Sequence, residues 1–148
     1  MESIVIACDH GGYNLKLELI TFLQELGYEV KDLGAANKEP VDYPAFAVTL
    51  AEQVAQGKFS SGILICTTGI GMSIAANKVP GVRAALCHEP YSARLSRLHN
   101  HANVLCLGGQ IIGPGLAKAI VSEWLQTGFD GGRHERRVNM IRSIEEKY

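Results

Sequence analysis

The sequence has almost no net charge and no pair of cysteines at the short spacing of a zinc knuckle. Its 14 lysines and arginines nearly balance 15 aspartates and glutamates, giving a formal charge of −1. We therefore expect no general attraction to nucleic acid or to acidic membranes. No basic segment precedes an apolar run near the start, so no signal peptide is predicted and the expected localisation is cytoplasmic. Residues 60–77 are uncharged, but their glycines and hydroxyls indicate a strand, a loop and a helix instead of a membrane span.

The size and composition indicate one globular domain over residues 1–148. The chain is 47% hydrophobic and 20% charged, which is typical of a soluble protein with a substantial core. The four cysteines are Cys8, Cys66, Cys87 and Cys106. Each lies at or near the end of a predicted strand. Three are interpreted as small buried hydrophobic residues, while Cys66 differs because of the residues that follow it.

Apolar runs and helical spacing alternate along the chain. Strands are predicted at 3–8, 29–33, 63–66, 82–87 and 103–107, and helices at 13–26, 44–57, 72–77, 90–99, 116–125 and 133–146. This alternation predicts an α/β fold with a five-stranded parallel sheet and helices on both faces. With right-handed crossovers, the result is a doubly wound, Rossmann-like, three-layer α/β/α sandwich.

The most informative segment is the loop that begins with Cys66 and continues Thr67-Thr68-Gly69-Ile70-Gly71. It connects a buried strand to a helix, at the sheet edge where α/β proteins bind ligands. A helix N-terminus favours anions and promotes ionisation of a nearby thiol, so one interpretation is a thiolate base beside an anion site. A second interpretation is a buried cysteine in a glycine turn. A third is a dinucleotide-binding loop, because Gly69-x-Gly71 is followed by Ala75, although a lone Gly-x-Gly is weak evidence.

Two other segments carry polar groups that suit catalysis or binding. Asp9 and His10 follow the first strand and precede two glycines, where they form either a ligand site or an ordinary capped turn. His99, Asn100 and His101 end the fourth helix, where a solvated cap is the alternative to a catalytic role. Two histidines two residues apart do not share a helix face, so no metal pair is predicted here.

The last predicted helix begins with an arginine-rich turn. Arg133 and Arg137 are four residues apart and therefore lie on the same helix face. Two guanidinium groups on one face suit a phosphate, while a solvated basic face is the alternative. Arginines in a first turn oppose the helix dipole, so an anionic partner accounts better for their position.

Taken together, the motifs closely resemble the type B ribose-5-phosphate isomerases, to which the galactose-6-phosphate isomerase subunits are related. The motifs are Cys8-Asp9-His10-Gly11, Asp42-Tyr43-Pro44, Ile65-Cys66-x-Thr68-Gly69-x-Gly71, Ala75-Ala76-Asn77-Lys78, Leu98-His99-Asn100 and Gly131-Gly132-Arg133-x-x-x-Arg137. They lie in the family's order and cover nearly the whole chain.

The resemblance implies a cofactor-independent isomerase without a metal site. It acts on a small sugar phosphate and forms a homodimer or a dimer of dimers with sites shared between subunits. Cys66 is implied as the base, and His99 with Asp9 as the groups that open the sugar ring. The remaining implied groups are the Thr67, Thr68, Gly69, Ile70 and Gly71 loop with Asn100 for an enediolate, and His10, Arg133 and Arg137 for the phosphate. Thr68 is also counted among the catalytic residues.

Three positions depart from the family pattern. Thr67 stands where the family usually has glycine, His101 where it has aspartate, and Gln110 where it has an arginine of the phosphate site. The expected reaction is interconversion of ribose 5-phosphate and ribulose 5-phosphate through a cis-enediolate. The alternatives are an isomerase of a hexose 6-phosphate, such as allose or galactose 6-phosphate, and a nucleotide-binding regulatory module.

Overall fold

A computed structural model describes residues 2–148, in which strands and helices alternate as predicted. The strands are β1 (Ser3–Cys8), β2 (Glu29–Asp32), β3 (Ser61–Cys66), β4 (Ala84–Leu86) and β5 (Val104–Gly108). The α-helices are α1 (Tyr13–Glu25), α2 (Tyr43–Ala55), α3 (Ile70–Ala76), α4 (Pro90–Leu98), α5 (Pro114–Gln126) and α6 (Arg133–Glu145). One 3-10 turn, His10–Gly12, lies between β1 and α1. No helix in residues 2–148 is long and apolar enough to cross a membrane.

The strands form one parallel sheet in the order β2-β1-β3-β5-β4. From β1 the chain moves outward to β2, and it then returns to β3 on the other side. The gap between the carboxyl ends of β1 and β3 is therefore the switch point at which open α/β sheets bind ligands. Asp9 follows the first of these strands and Cys66 ends the second.

Alternate strand residues face two separate cores, because neighbouring side chains in a strand point to opposite faces of the sheet. On one face, α1, α4 and α5 cover Ile4, Ile6, Ile63 and Ile65, with Trp124 fully buried. On the other, α2 and α3 cover a second apolar cluster, which includes Val5, Ala7, Leu64, Cys66 and Cys106. The predicted doubly wound three-layer sandwich is thus confirmed.

The boundaries of the elements differ from the predictions mainly at β4. Residues 82–87 were expected to be a strand, but the strand covers Ala84–Leu86 only. At its start, Asn103 Oδ1 accepts a hydrogen bond from Arg83 N and Asn77 Oδ1 accepts one from Ala84 N. Side chains therefore satisfy backbone donors at the start of this edge strand, a tertiary effect that an apolar run does not reveal.

Helix α6 packs on the outside of the sandwich. His134 and Val138 are its buried residues, and most of the others are exposed. Gly131 and Gly132 precede it with φ values of 69° and 56°, a left-handed conformation that glycine adopts without strain. This joint turns the chain so that the first turn of α6 lies against the end of α4.

Candidate active site

The sulfur of Cys66 lies at the carboxyl end of β3 and accepts a hydrogen bond from the backbone. Gly69 N is 3.1 Å from Cys66 Sγ. Gly69 adopts φ = 79°, and a Cβ atom there would lie 2.5 Å from Leu86 Cδ1 and 2.9 Å from the Leu107 carbonyl carbon. Only glycine fits this turn, which aims an N–H group at the thiol. The sulfur is thereby held by a fixed backbone donor.

Two further contacts fix the loop after Cys66. Thr68 Oγ1 accepts a hydrogen bond from Ile70 N at 3.2 Å. Gly71 lies against Tyr43, because an added Cβ would come 2.5 Å from atoms of that ring. The N–H groups of Gly69 and Ile70 are thus engaged within the loop itself. The hydroxyl hydrogen of Thr68 remains available for donation to a bound molecule, since its oxygen acts as acceptor towards Ile70.

Asp9 and His10 form the opposite side of the same site, next to the end of β1. Asp9 is 4% exposed and its Oδ1 accepts a hydrogen bond from Gly11 N at 2.9 Å, so it does cap the turn. His10 is exposed, and its Nδ1 lies 3.4 Å from Val41 N, which donates to it. This contact places the proton of a neutral His10 on Nε2, where it can donate to an anion.

These side chains line one pocket of about 480 Å³, a size typical of small-molecule sites. Its lining residues are Asp9, His10, Tyr43, Cys66, Thr67, Thr68, Ile70, Gly71 and Ile74. The structure thus brings together the predicted site residues that follow β1 and β3, apart from Gly69, which is buried and does not line the pocket. Tyr43 and Ile74 were not predicted as site residues, although Tyr43 stands within the Asp42-Tyr43-Pro44 motif.

The other three cysteines behave as buried apolar residues, as predicted. Cys8 and Cys106 are fully buried and Cys87 is 2% exposed. Burial raises the pKa of all three thiols, that of Cys87 to about 11. Cys66 is the cysteine among residues 2–148 that both lines the pocket and accepts a hydrogen bond from a backbone N–H in the next turn.

The remaining predicted site residues lie elsewhere on the chain. None of His99, Asn100, Arg133 and Arg137 is among the residues of 2–148 that line the Cys66 pocket. Asn100 instead borders a cleft beside β4 and α6, and Arg137 borders an apolar groove on α6. Within one chain, the predicted site is therefore divided into two regions: the Cys66 pocket and the His99 region, which consists of these four residues and His134.

The His99 region is organised by a stack of two imidazole rings. The rings of His99 and His134 are parallel, with centroids 4.2 Å apart and an interplanar angle of 9°. The pKa of His134 lies below the usual range of histidine, first because burial disfavours the imidazolium and then because His99, Arg133 and Arg137 are near. The imidazolium form of His134 is thus disfavoured. Sequence reasoning missed it, since nothing in the local sequence shows that α6 reaches His99.

Arginine side chains hold the segment around His99. Arg97 donates to the Ala102 carbonyl at 2.6 Å and to the Thr127 carbonyl at 3.2 Å, and its guanidinium lies 4.3 Å from the Trp124 ring centroid. Arg83 Nε donates to the His101 carbonyl at 2.8 Å. The end of α4 is therefore tied to α5 and β4, which gives His99 a fixed position on the surface.

Gln110 lies close to the Cys66 loop through its backbone but is not among the residues lining its pocket. Its N–H donates to the Thr67 carbonyl at 3.0 Å, and Gly109 N donates to the Cys66 carbonyl at 2.8 Å. The Gln110 side chain is exposed. The loop after β5 is thus joined to the loop after β3 by the main chain, whatever side chain stands at position 110.

Fold and site together define an α/β protein that presents a thiol, a carboxylate and an imidazole to a small polar ligand at the switch point of its sheet. The Ribose/Galactose Isomerase family model matches residues 4–141. Ribose-5-phosphate isomerase B of Escherichia coli is 50% identical over 147 residues, covering 99% of each chain. D-erythrulose-4-phosphate isomerase of Pectobacterium atrosepticum is 45% identical over 143 residues, covering 95% of this chain and 93% of its own.

A solved structure agrees with these matches. The structure of ribose-5-phosphate isomerase B from Clostridium thermocellum superimposes with a TM-score of 0.97 at 55% identity, covering 99% of each chain. The chain belongs to the ribose/galactose isomerase family, and it is an isomerase. The resemblance to type B ribose-5-phosphate isomerases inferred from the sequence motifs is confirmed.

Proposed function

We propose that this protein interconverts ribose 5-phosphate and ribulose 5-phosphate through a cis-enediolate, with Cys66 as the base and no cofactor. The observation that carries the proposal is the hydrogen bond from Gly69 N to Cys66 Sγ inside the pocket. The names of the Escherichia coli and Clostridium thermocellum relatives support ribose 5-phosphate as the substrate.

One sulfur can carry out both proton transfers. The Cys66 thiolate removes the proton from carbon 2 of the open-chain aldose, and the electron pair forms the double bond between carbons 1 and 2. The carbonyl oxygen at carbon 1 becomes an enediolate oxygen. The hydroxyl proton on the oxygen at carbon 2 moves to the oxygen at carbon 1, and the resulting thiol returns the carbon-bound proton to carbon 1 as carbon 2 becomes the carbonyl. A positioned acid–base group of this kind contributes about 10²- to 10⁴-fold to the rate.

The enediolate needs donors that are already in place before charge develops. The Thr68 hydroxyl suits this task because its oxygen is fixed by Ile70 N and its hydrogen is free to donate. Backbone N–H groups of the Thr67–Gly71 loop other than those of Gly69 and Ile70 would add donors, and Asn100 a side-chain amide. The buried Asp9 carboxylate lies across the pocket. There it can accept a hydrogen bond from a sugar hydroxyl and assist opening of the sugar ring.

The phosphate would be held by His10 together with Arg133 and Arg137. His10 presents Nε2 away from its contact with Val41. Arg133 and Arg137 are exposed on one face of α6 and belong to the His99 region. Arginine binds phosphate through two parallel hydrogen bonds, which positions the sugar at a distance from the reacting carbons.

A second copy of the chain would join the two regions, with the Cys66 pocket of one subunit completed by the His99 region of its partner. The two regions do not share a pocket within one chain. Exposed apolar side chains lie near both regions. Ile70 and Ile74 are beside Cys66, and Met140, Ile141 and Ile144 are on α6. Clusters of this kind mark protein interfaces. We therefore propose a homodimer or a dimer of dimers with shared sites.

The reaction is tested by comparing sugar phosphates with the same enzyme preparation. We expect the highest kcat/KM for ribose 5-phosphate, and lower values for allose 6-phosphate, galactose 6-phosphate and D-erythrulose 4-phosphate. The measurement is direct detection of ketose or aldose formation. A higher kcat/KM for any of the other three would overturn the pentose assignment and leave the enediolate chemistry intact.

The hexose 6-phosphate alternative is favoured by one observation, Gln110 in place of the family's arginine. A neutral amide binds phosphate more weakly than a guanidinium and leaves room for a displaced phosphate. The nucleotide-binding module is less well supported, because the matched family and the named relatives are isomerases.

A further inference from the structure

Three side chains with metal-binding atoms meet between the end of α4 and the start of α6. They are His99, Asp130 and His134, and their ligand atoms all lie within 4.8 Å of one another. Asp130 has no part in the proposed reaction, and neither does His134. The three residues are separated in sequence by up to 35 positions, so only the fold brings them together.

The backbone holds each of the three residues in place. His99 N donates to the Leu95 carbonyl at 2.8 Å, and Asp130 N donates to the Leu98 carbonyl at 3.1 Å. His134 N donates to the Gly131 carbonyl at 3.0 Å. The two imidazoles form a parallel stack, and because each nitrogen lone pair lies in the plane of its own ring, this stack must open before both rings coordinate one ion. Binding of an ion would therefore need side-chain rotations and no refolding of the main chain.

The donor set suits zinc and similar divalent transition metals. Two imidazole nitrogens and one carboxylate oxygen form a common three-ligand set for zinc, with a fourth position left for water. In a tetrahedral site with ligands at about 2.0–2.1 Å, neighbouring ligand atoms lie about 3.3 Å apart. Closing from 4.8 Å or less to that spacing requires rotations about side-chain bonds that move the two imidazoles out of their parallel stack.

The charges near the cluster limit the expected affinity. Asp130 supplies a negative charge, whereas Arg133 and Arg137 lie close enough to lower the pKa of His134 and would repel a dication. Binding must therefore come from direct coordination. Magnesium and calcium prefer oxygen ligands and are not expected to bind to two imidazoles.

We propose that His99, Asp130 and His134 form a site for zinc-type divalent ions, and that an ion bound there inhibits the enzyme by occupying His99. The ion is an inhibitor and not a resident cofactor. The binding part stands on the cluster alone, while the inhibition part rests on the ring-opening role that the family resemblance implies for His99.

Cys66 is the competing zinc ligand, so the first experiment separates the two by spectroscopy. Apo-protein is titrated with Co²⁺, which replaces Zn²⁺ and is coloured. Coordination by imidazole and carboxylate gives visible d–d bands without the near-ultraviolet charge-transfer band of a thiolate. We expect the same spectrum from wild type and from Cys66→Ala. A thiolate band that disappears in Cys66→Ala would overturn the proposal.

The second experiment measures Zn²⁺ affinity by competition with a chromophoric chelator. We expect one ion per chain in wild type, and at least a tenfold weaker affinity in Asp130→Asn and in His134→Gln. Asp130 is exposed, so Asp130→Asn tests the site even if the buried His134 does not tolerate change. The matched control is His101→Asn, which removes a histidine stacked on Phe129 outside the cluster and keeps a residue that tolerates its φ of 51°.

The third experiment is the isomerase assay with added Zn²⁺. Wild type and His101→Asn should lose activity and regain it with EDTA, whereas Asp130→Asn should need at least tenfold more Zn²⁺ for the same loss. Equal affinity or equal inhibition in wild type and Asp130→Asn would overturn the proposal, as would absence of binding to wild type. Activity retained by Cys66→Ala would instead refute the proposed function and leave the binding site standing.

Discussion

The Cys66 pocket and the His99 region are built in opposite ways. The pocket lies at the ends of two central strands, and its sulfur and carboxylate are almost wholly buried and held by backbone N–H groups. The His99 region lies on the surface, where the end of one helix meets the start of another and where the arginines are exposed. The comparison teaches that the core fixes the group proposed to move the proton, whereas His99, Arg133 and Arg137, proposed for ring opening and phosphate binding, depend on peripheral helices.

The largest expected effect comes from removing the sulfur of the Cys66 pocket. Cys66→Ala should lower kcat by at least about 10²-fold, because the base is lost. The fold should remain, since only a small buried group is removed. The measurement is kcat together with the thermal unfolding midpoint. Cys87→Ala is the matched control, since it removes another buried thiol that has no place in the pocket. Activity above a tenth of wild type in Cys66→Ala would exclude Cys66 as the base.

The next largest effect should come from the arginines of the His99 region. Arg137→Ala or Arg133→Ala should raise KM for ribose 5-phosphate by tenfold or more, because a hydrogen bond to a charged group is worth about 1.5–3 kcal/mol. The control is Arg136→Ala, which removes an exposed arginine of the same helix that borders a different surface groove from Arg137. The measurement is KM from steady-state kinetics. An equal rise in KM for Arg136→Ala would mean that the positive charge of the helix as a whole attracts the substrate, and that Arg133 and Arg137 do not form a specific phosphate site.

A smaller but more diagnostic effect concerns whether the two regions meet across subunits. Cys66→Ala and His99→Asn chains with different tags are co-expressed, and the mixed dimer is purified through both tags. A two-fold dimer with shared sites has one intact site and one doubly defective site, so about half of wild-type activity should return. If the mixed dimer has only the mean activity of its two parents, each site is formed within a single chain. A monomer with full activity would contradict the dimer itself.

The smallest expected effect is that of Gln110→Arg. The added guanidinium should lower KM for ribose 5-phosphate by a few-fold, since a charge-assisted hydrogen bond is roughly twice as strong as a neutral one. If the site is adapted to a longer sugar phosphate, the same change should raise KM for a hexose 6-phosphate. Unchanged KM for both substrates would mean that position 110 does not contact the phosphate.

The Cys66 pocket could be predicted because it follows from local patterns and one topological rule. Buried apolar runs mark β1 and β3, parallel strands end at one edge, and Asp9, His10 and Cys66 come directly after them. Tyr43 was missed as a site residue because its contact with Gly71 depends on how α2 packs against α3.

For the His99 region, the sequence predicted individual site residues but not how the fold brings them together. The meeting of His99 with Asp130 and His134 depends on the path of residues 127–132, which the Leu98 carbonyl and Arg97 hold in place. No periodicity in the sequence encodes that path. Whether the region completes a second chain's pocket depends on association between surfaces, which the fold of one chain does not determine.

The position of Cys66 in the pocket has a consequence for how the enzyme responds to oxidants. Three of the four thiols are shielded in the core and kept protonated. Peroxide should therefore first attack Cys66, the thiol that lines the pocket. The first product is a sulfenic acid, which a thiol reductant can reverse. Mild oxidation should thus inactivate the enzyme while its fold stays intact, and bound substrate should protect Cys66 from oxidation.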